Sequence, residues 1–387
     1  MGKLKRIVIY SNGIMEQTGY GTQMRTFSGY LKEEGYEVAV AANSGLSGQA
    51  INWKGIDIYP MRGNPFNMKT VGEFVKHFKA DLVLSLYDMF PLPDTTRADL
   101  GVPWVAWVPI DGVPVPVRVQ ASTRKADWVV SMSTFGQAEL KKVGIESERI
   151  QLGVDCDVYC PGDRAEARKS LGFPLDAFVV GVVAANKGWP SRKSWPELMA
   201  GFAQFHQRFP RNTLLYLHTT ALPYGTNEGA NIPRLRDRLG LPHNAVQITP
   251  ESHIAIGVQE DQMADLYRAF DVLLCPSMAE GFGLPIVECQ ACGTPVITQD
   301  CTAMTENTLL GQCIQPLQSF YVPQLDYYWS LASVPRIAEA LTTVYHSRPD
   351  GRATMQAVHK IRQKYHWPDL FERKWLPVLE TIERELW

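Results

Sequence analysis

Two glutamates, Glu280 and Glu288, lie eight residues apart and flank a Gly-Phe-Gly-Leu-Pro segment. The apolar run before them, Val272–Cys275, is typical of a buried parallel strand, and the proline after the loop suits the start of a helix. Gly281 and Gly283 allow backbone N–H groups to approach a ligand closely. The segment therefore predicts a strand, a glycine loop and a helix, with carboxylates and amides that are suited to hold a ligand.

The expected position of Glu288 is the first helical turn. Side chains on a helix lean toward its N-terminus, so Glu288 should point back to the carboxyl end of the strand, where open α/β sheets bind ligands. The alternative is that Glu288 only complements the helix dipole and that Glu280 is a solvated loop acid. The two acids occur together around the glycine loop, and we therefore favour a ligand site.

Two adjacent cations, Arg192 and Lys193, stand between an apolar strand at 178–184 and a helix predicted at about 195–209. A guanidinium fork, a point-charge ammonium and a helix N-terminus at one place suit a phosphate group. The alternative is a solvated basic loop.

Two polar residues follow other predicted strands. His218 comes after the strand at 214–217 and is either a ligand contact or only a polar strand end. Asp111 comes after the strand at 104–109 and is suited to hydrogen-bond a hydroxyl or to accept a proton. An Asp before Gly also forms turns, so both interpretations of Asp111 stay open.

The first βα turn carries Thr-Gly-Tyr-Gly-Thr, with Gly19, Tyr20 and Gly21, between the strand Arg6–Ser11 and a helix predicted at about 23–34. This spacing is not Gly-x-Gly-x-x-Gly, so it gives little support to a dinucleotide site. The glycines either offer N–H groups to an anion or form a tight turn on the sheet.

Strands and helices alternate along the chain, which predicts an α/β fold with two Rossmann-like domains facing a central cleft. We expect the first domain at residues 1–163 and the second at 164–367, because a polar segment at 161–168 suits a linker. The aromatic-rich segment 321–329 is predicted to be an insertion that shapes the acceptor site or an interface.

The composition excludes several classes of protein. The chain has 387 residues, of which 45% are hydrophobic, with a net charge of −2 and a pI near 6.5. No overall positive charge therefore indicates that the protein binds nucleic acid. Its seven scattered cysteines do not suit a disulfide framework. Cys289 and Cys292 form a Cys-x-x-Cys inside the predicted helix, but no second pair stands at zinc spacing, so helix packing is favoured over a metal site. No apolar run reaches the ~20 residues of a membrane span, and no signal peptide is visible. A cytoplasmic protein is expected, with peripheral membrane contact left open.

The segment from Glu280 to Ile297 closely resembles the signature of the retaining, nucleotide-sugar-dependent glycosyltransferases with the GT-B fold, the family-4-like "glycosyl transferases group 1". A weaker resemblance runs over nearly the whole chain. It implies an α/β GT-B architecture in which the first domain holds the acceptor and the second holds the nucleotide sugar. It also implies that a C-terminal helix, residues 368–387, crosses back onto the first domain.

The same resemblance assigns roles to residues. Glu280 and the loop amides would hold the sugar hydroxyls, Glu288 would accept both ribose hydroxyls, and the cations and first glycine loop would hold the diphosphate. Many relatives carry a histidine near this place. The polar residue here is Asp111, so the chain departs from the family's pattern at this point. The expected catalytic residues are Glu280, Arg192, Lys193 and Asp111. The expected donor-binding residues are Gly19, Tyr20, Gly21, Arg192, Lys193, His218, Thr249, Glu280, Gly281, Phe282, Gly283, Leu284 and Glu288.

The implied function is transfer of a hexose from a UDP- or GDP-sugar to an acceptor hydroxyl on a sugar, lipid or other molecule, with retention of configuration. No metal and no cofactor beyond the donor is expected, because protein cations would hold the diphosphate. The alternatives are a non-catalytic nucleotide-sugar-binding subunit and a nucleotide-sugar epimerase or phosphorylase of the same fold. A nucleic-acid modifier is a more distant alternative, and the oligomeric state stays open.

Overall fold

The computed structural model describes residues 4–92, 95–223 and 228–386. The chain forms two compact units, Met1–Gly153 with Trp367–Trp387, and Val154–His366. The sequence places the first boundary at 163/164 and the second at 367/368, whereas the units divide at 153/154 and 366/367. The polar segment after residue 160 belongs to the second unit, where the buried Arg168 donates to Asp271 at 2.8 Å.

The first unit contains an eight-stranded sheet in the order β3-β4-β2-β1-β5-β6-β7-β8, parallel throughout except for the antiparallel pair β3–β4. Its strands are β1 Arg6–Ser11, β2 Glu37–Ala42, β3 Ile51–Trp53, β4 Ile56–Pro60, β5 Leu82–Leu86, β6 Trp104–Val108, β7 Trp128–Ser131 and β8 Glu148–Arg149. Strands β5 and β6 are buried along their whole length, as expected for central parallel strands. The sequence missed β3, β4 and β8, and β8 pairs with β7 at the end of the sheet.

The helices of this part of the chain are α1 Gly19–Glu33, α2 Met68–Phe78, α3 Arg97–Leu100, α4 Val117–Thr123 and α5 Thr134–Lys142. Helix α1 begins four residues before the predicted start at Gln23. The reason is a cap at Thr18, whose Oγ1 accepts a hydrogen bond from Gly21 N at 3.1 Å. Gly19 and Gly21 therefore lie in the first helical turn and not in a loop.

The second unit contains a six-stranded parallel sheet in the order β11-β10-β9-β12-β13-β14 and a separate antiparallel hairpin of β15 and β16. The strands are β9 Phe178–Val183, β10 Thr213–His218, β11 Val246–Ile248, β12 Val272–Cys275, β13 Val296–Gln299, β14 Gly311–Ile314, β15 Gln318–Val322 and β16 Tyr327–Leu331. The predicted aromatic insertion is this hairpin. Strand order reverses between β9 and β12, so this pair is the topological switch point of the sheet.

Helices cover both faces of this sheet, as in a doubly wound fold. They are α6 Arg164–Leu171, α7 Trp195–Arg208, α8 Ile232–Arg238, α9 Glu251–Ile256, α10 Glu260–Ala269, α11 Leu284–Ala291, α12 Thr302–Asn307, α13 Val334–His346 and α14 Gly351–Tyr365, with a 3₁₀ turn at His243–Ala245. One core, formed mainly by α7, α13 and the apolar strand residues, includes the fully buried Trp195, Phe202 and Phe205.

The last segment, α15 Trp367–Leu370, a π-helical turn at Phe371–Trp375, and α16 Leu376–Leu386, belongs to the first unit. The ring of Trp375 lies 4.7 Å from that of Phe27 and 4.8 Å from that of Trp107, measured between centroids. Trp367 and Phe371 also contact Phe27. These large buried rings make the segment part of the first unit's core.

Candidate functional site

The loops that follow β9 and β12 carry the predicted charged residues. Residues 184–194 lead from β9 to α7 and include Arg192 and Lys193, whereas 276–283 lead from β12 to α11 and include Glu280. Because β9 and β12 are adjacent parallel strands, their loops leave the sheet side by side at its carboxyl edge, which is the edge where open α/β sheets bind ligands. The fold thus explains why these residues, far apart in sequence, come together.

Glu280 is held by both cations. Arg192 Nη1 donates to Glu280 Oε2 at 2.9 Å, and Lys193 Nζ donates to the other carboxylate oxygen. Arg192 Nη1 also donates to the carbonyl of Ala279. The Glu280 side chain is only 8% exposed, while those of Arg192 and Lys193 are 30% and 20% exposed. The carboxylate is enclosed and both cations still reach solvent.

Burial by itself raises the pKa of Glu280, but the charges of Arg192 and Lys193 outweigh burial and lower the pKa to about 2. The carboxylate is therefore ionised at neutral pH and acts only as a hydrogen-bond acceptor. Its backbone is also fixed, because Glu280 N donates to Thr302 Oγ1 at 3.1 Å and Glu280 O accepts from Ala303 N. This arrangement suits recognition of hydroxyl groups by a rigid acceptor.

Glu288 lies in the second turn of α11 and not in the first, because the helix begins at Leu284. The Tyr267 hydroxyl donates to Glu288 Oε2 at 2.7 Å. Burial raises the pKa of Glu288 to about 7, although the bond from Tyr267 opposes this shift. Glu288 is thus a partly buried carboxyl group that changes its charge close to neutral pH.

The glycine loop begins α11 without a side-chain cap. Gly283 has φ +88°, a conformation that other residues rarely adopt, and occupies the N-cap position before Leu284. The side chain of Phe282 points inward, 3% exposed, and packs edge-to-face on Tyr365. Phe282 can therefore meet a ligand only through its backbone, whereas the helix start at Gly283 and Leu284 offers amides typical of an anion site.

His218 and Thr249 are brought together at the ends of β10 and β11. His218 Nδ1 lies 3.1 Å from Thr249 Oγ1, and the Tyr216 hydroxyl lies 2.9 Å from the same atom. Burial, and then the charge of His253, lowers the pKa of His218 to about 4. His218 is therefore neutral at pH 7, so it can hydrogen-bond a ligand but cannot supply a positive charge.

Four predicted residues, Gly19, Tyr20, Gly21 and Asp111, lie in the first unit. The N–H group of Gly21 already donates to Thr18, so it differs from the free amide that a diphosphate cradle requires. The Tyr20 hydroxyl lies 3.4 Å from Asp88 Oδ1, at the end of β5. Asp111 is partly exposed beyond the end of β6.

Sequence reasoning missed several polar partners of the loop at 276–283. Thr302 accepts from the Glu280 backbone, Gln299 donates to two loop carbonyls, and Asn307 Nδ2 donates to Phe282 O at 2.7 Å. Gln299 is the last residue of β13 and the other two follow that strand, one strand further along the sheet, and no motif in the sequence signals them.

The described part of the chain contains no cluster of three or more His, Cys, Asp or Glu side chains placed to hold a metal ion. Among the same residues, no helix has the length and apolar character needed to cross a membrane.

Part of the chain resembles a known family of sequences. Residues 206–321 match the sequence family described as Glycosyl transferases group 1. A D-inositol 3-phosphate glycosyltransferase from Mycobacterium tuberculosis is 31% identical over 216 residues, which cover 54% of this chain and 42% of that protein. The chain thus spans less than half the length of such relatives. The matched family segment includes Glu280 and Glu288 but not Arg192 or Lys193.

Solved structures share the fold over almost the whole chain. A sucrose-phosphate synthase from Thermosynechococcus elongatus has a TM-score of 0.78 at 17% identity, covering 98% of this chain and 100% of that one. HepE from Anabaena, in complex with UDP-glucose, has a TM-score of 0.71 at 18% identity, covering 98% and 99%. The class of protein that this fold defines is the GT-B proteins. The chain thus has the GT-B fold, and its residues 206–321 are similar to the group 1 glycosyltransferases.

Proposed function

We propose that the protein transfers a hexose from a UDP- or GDP-sugar to a hydroxyl group of an acceptor, with retention of the anomeric configuration. The observation that carries this proposal is the contact of Glu280 with Arg192 and Lys193 at the switch point of the second sheet. In this contact, a carboxylate that can accept hydrogen bonds from hydroxyl groups lies beside two cations that are suited to bind phosphate. The family match and the UDP-glucose complex of HepE support a nucleotide sugar as the donor.

The difficult step is cleavage of the bond between the anomeric carbon and the diphosphate oxygen, because negative charge develops on the leaving group. Arg192 and Lys193 reach solvent beside Glu280 and are the side chains suited to stabilise that charge. Preorganised donors of this kind contribute about 10²–10³-fold in rate each. Protein cations would do this work, so we expect transfer to need no metal.

Glu280 is poorly suited to attack the sugar, since both of its oxygens are engaged by cations. We therefore favour a front-face reaction without a covalent intermediate. The bond from the anomeric carbon to the phosphate oxygen breaks, the acceptor oxygen bonds to the same face, and the acceptor proton passes to the leaving phosphate oxygen. Asp111 stays a candidate for contact with the acceptor.

The first test is a thermal-shift screen with UDP-, GDP-, ADP- and dTDP-sugars in the presence of EDTA. A ligand at 100 times its dissociation constant stabilises the folded state by about 2.7 kcal/mol, which such a screen resolves. One clear hit supports the donor site. A folded sample that shifts with none of the four overturns the proposed donor class.

The second test separates transfer from mere binding. The nucleotide sugar identified by the screen is incubated with candidate acceptors or with water alone, and the product is followed by proton NMR. Appearance of the retained anomer supports the mechanism. An inverted product contradicts it, and binding without turnover of any acceptor or of water favours a non-catalytic binding subunit.

A further inference from the structure

The hairpin of β15 and β16 has an inner face that packs on the Glu280 loop. The two residues before Glu280, Met278 and Ala279, form a buried cluster with three inward side chains of the hairpin, namely Val322, Tyr327 and Trp329. The backbone is joined as well, since Ser330 N donates to Met278 O at 3.0 Å. This insertion therefore contacts the candidate site through the residues next to its carboxylate.

Gln299, the last residue of β13, links the same loop to the hairpin through one side-chain amide. The residue is fully buried. Its Nε2 donates to Pro276 O at 3.1 Å, to Ser277 O at 2.9 Å and to Ser330 O at 2.9 Å. Three carbonyl groups, two in the loop and one in the hairpin, thus share the two N–H groups of one side-chain amide.

The hydrogen bonds continue from the loop to Arg192. Met278 N donates to Arg192 O at 2.7 Å, while Arg192 Nη1 returns to Ala279 O and to Glu280 Oε2. A connected network therefore runs from the hairpin through residues 276–280 to the cation that pairs with the carboxylate. Loss of a hydrogen bond at the buried end, at Gln299, should therefore alter the geometry at the charged end, at Arg192 and Glu280, because the hydrogen-bonded groups of the network share partners.

We propose that Gln299 is a positioning residue whose amide fixes the 276–280 loop against the hairpin, so that Glu280 and Arg192 keep the geometry that sugar transfer requires. The functional part of this inference rests on the function proposed above. Without the amide, the carbonyls of Pro276 and Ser277 must find other partners, and the loop shifts to do so. A displacement of ~1 Å at a reacting centre can reduce the rate by about 10²-fold.

The test is Gln299→Met, which keeps the length and bulk of the side chain but donates no hydrogen bond. Hydrogen exchange followed by mass spectrometry should show faster exchange, by about tenfold or more, in peptides covering 276–283. The reason is that a shift of the loop weakens the bonds from Met278 N to Arg192 O and from Glu280 N to Thr302 Oγ1. With whichever of UDP-glucose and GDP-mannose stabilises the wild type more, kcat for transfer to water should fall about 10–100-fold while KM changes much less.

Two further variants sharpen the result. Gln299→Asn keeps the amide on a shorter side chain, so it should fall between the wild type and Gln299→Met, and it serves if the methionine variant does not fold. Ser319→Ala is the matched control on the outer face of the same hairpin, at an exposed position of β15 that lies outside the segment 321–329. It should leave both exchange and kcat unchanged.

Unchanged exchange at 276–283 in Gln299→Met overturns the proposal that Gln299 fixes the loop. Faster exchange with unchanged kcat overturns the positioning role of Gln299. An equal loss in Ser319→Ala overturns the assignment to the inner face. A wild type that binds neither sugar nucleotide overturns the proposed function instead. The exchange data alone then decide whether Gln299 fixes the loop.

Discussion

At the scale of single residues, the two glutamates of the signature differ in charge behaviour. The cations keep Glu280 ionised, with a pKa of about 2, whereas burial raises the pKa of Glu288 to about 7. Similar residues eight positions apart therefore have different titration ranges because of their surroundings. The sequence identifies both acids but not this difference, which depends on contacts with Tyr267, Arg192 and Lys193.

If Glu288 binds the donor as proposed, its raised pKa should make donor binding dependent on pH. If the carboxylate accepts the ribose hydroxyls, affinity for the sugar nucleotide should increase about tenfold from pH 6 to pH 8, as Glu288 loses its proton. His218, with a pKa of about 4, stays neutral in this window. Isothermal titration calorimetry measures the effect. Glu288→Gln should bind more weakly at pH 8 and show a flat profile, and a flat wild-type profile would contradict the assignment.

The same shift affects stability with the opposite sign. The folded pKa of Glu288 lies above its ordinary value of 4.5, so the folded state retains a proton that the unfolded chain releases between these values. The contribution of Glu288 is full below pH 4.5 and is lost as the pH rises to about 7. Denaturant titrations should show a shallower decrease between pH 5 and pH 7 in Glu288→Gln than in the wild type.

Replacement of Lys193 by Ala should lower kcat for transfer by about 10²–10³-fold, because the leaving diphosphate loses a fixed positive charge. Arg238→Ala removes the same charge from an exposed position on α8 and is the matched control. Steady-state kinetics with the identified donor compares the two variants. Equal effects would mean that net charge, and not the position of Lys193, determines the rate.

At the scale of elements, the sequence predicts what periodicity and apolar runs determine. Strands β1, β9 and β12 and helix α7 agree closely with their predicted ranges. The sequence predicts the start of α1 four residues too late, because a glycine-rich segment is typical of a loop. The N-cap at Thr18, which extends the helix, is visible only in the structure. The bond from Glu280 to Thr302 could not be predicted either, since it joins residues 22 apart that meet only when β12 and β13 pair.

Helix α1 offers a matched pair of glycines for testing this element. A Cβ at Gly21 would lie 2.6 Å from Glu16 O and 2.8 Å from Gly13 O, whereas a Cβ at Gly29 would meet nothing within 4 Å. Gly29→Ala should therefore stabilise the protein by about 0.5–1 kcal/mol. Gly21→Ala should destabilise it, because two backbone carbonyls must move. Urea denaturation measures both, and stabilisation by Gly21→Ala would contradict the close packing.

At the scale of the whole molecule, each unit has its own parallel sheet, but the first unit is completed by the far end of the chain. Trp367, Phe371 and Trp375 contribute buried rings to the core around Phe27. The alternating pattern predicts two α/β units. The point where the chain returns depends on ring packing between residues more than 300 positions apart, and periodicity carries no information about that.

Truncation after His366 should destabilise the first unit and leave the second largely intact. Removal of large buried aromatic side chains typically costs about 3–5 kcal/mol each. Calorimetry should show that one transition moves to lower temperature while the transition of unit Val154–His366 is retained. If both transitions moved equally, the C-terminal segment would not belong to the first unit's core alone.

The discontinuous first unit also bears on the order of events during synthesis on the ribosome. Domains usually acquire their structure as they emerge, beginning with the N-terminal one. Here the second unit is complete at His366, whereas the first still lacks Trp367 and the residues after it. The unit that is synthesised later can thus fold first. The unit that is synthesised earlier meanwhile keeps the region around Phe27 and Trp107 exposed to solvent. Nascent chains arrested before residue 367 should need chaperone protection for their N-terminal half.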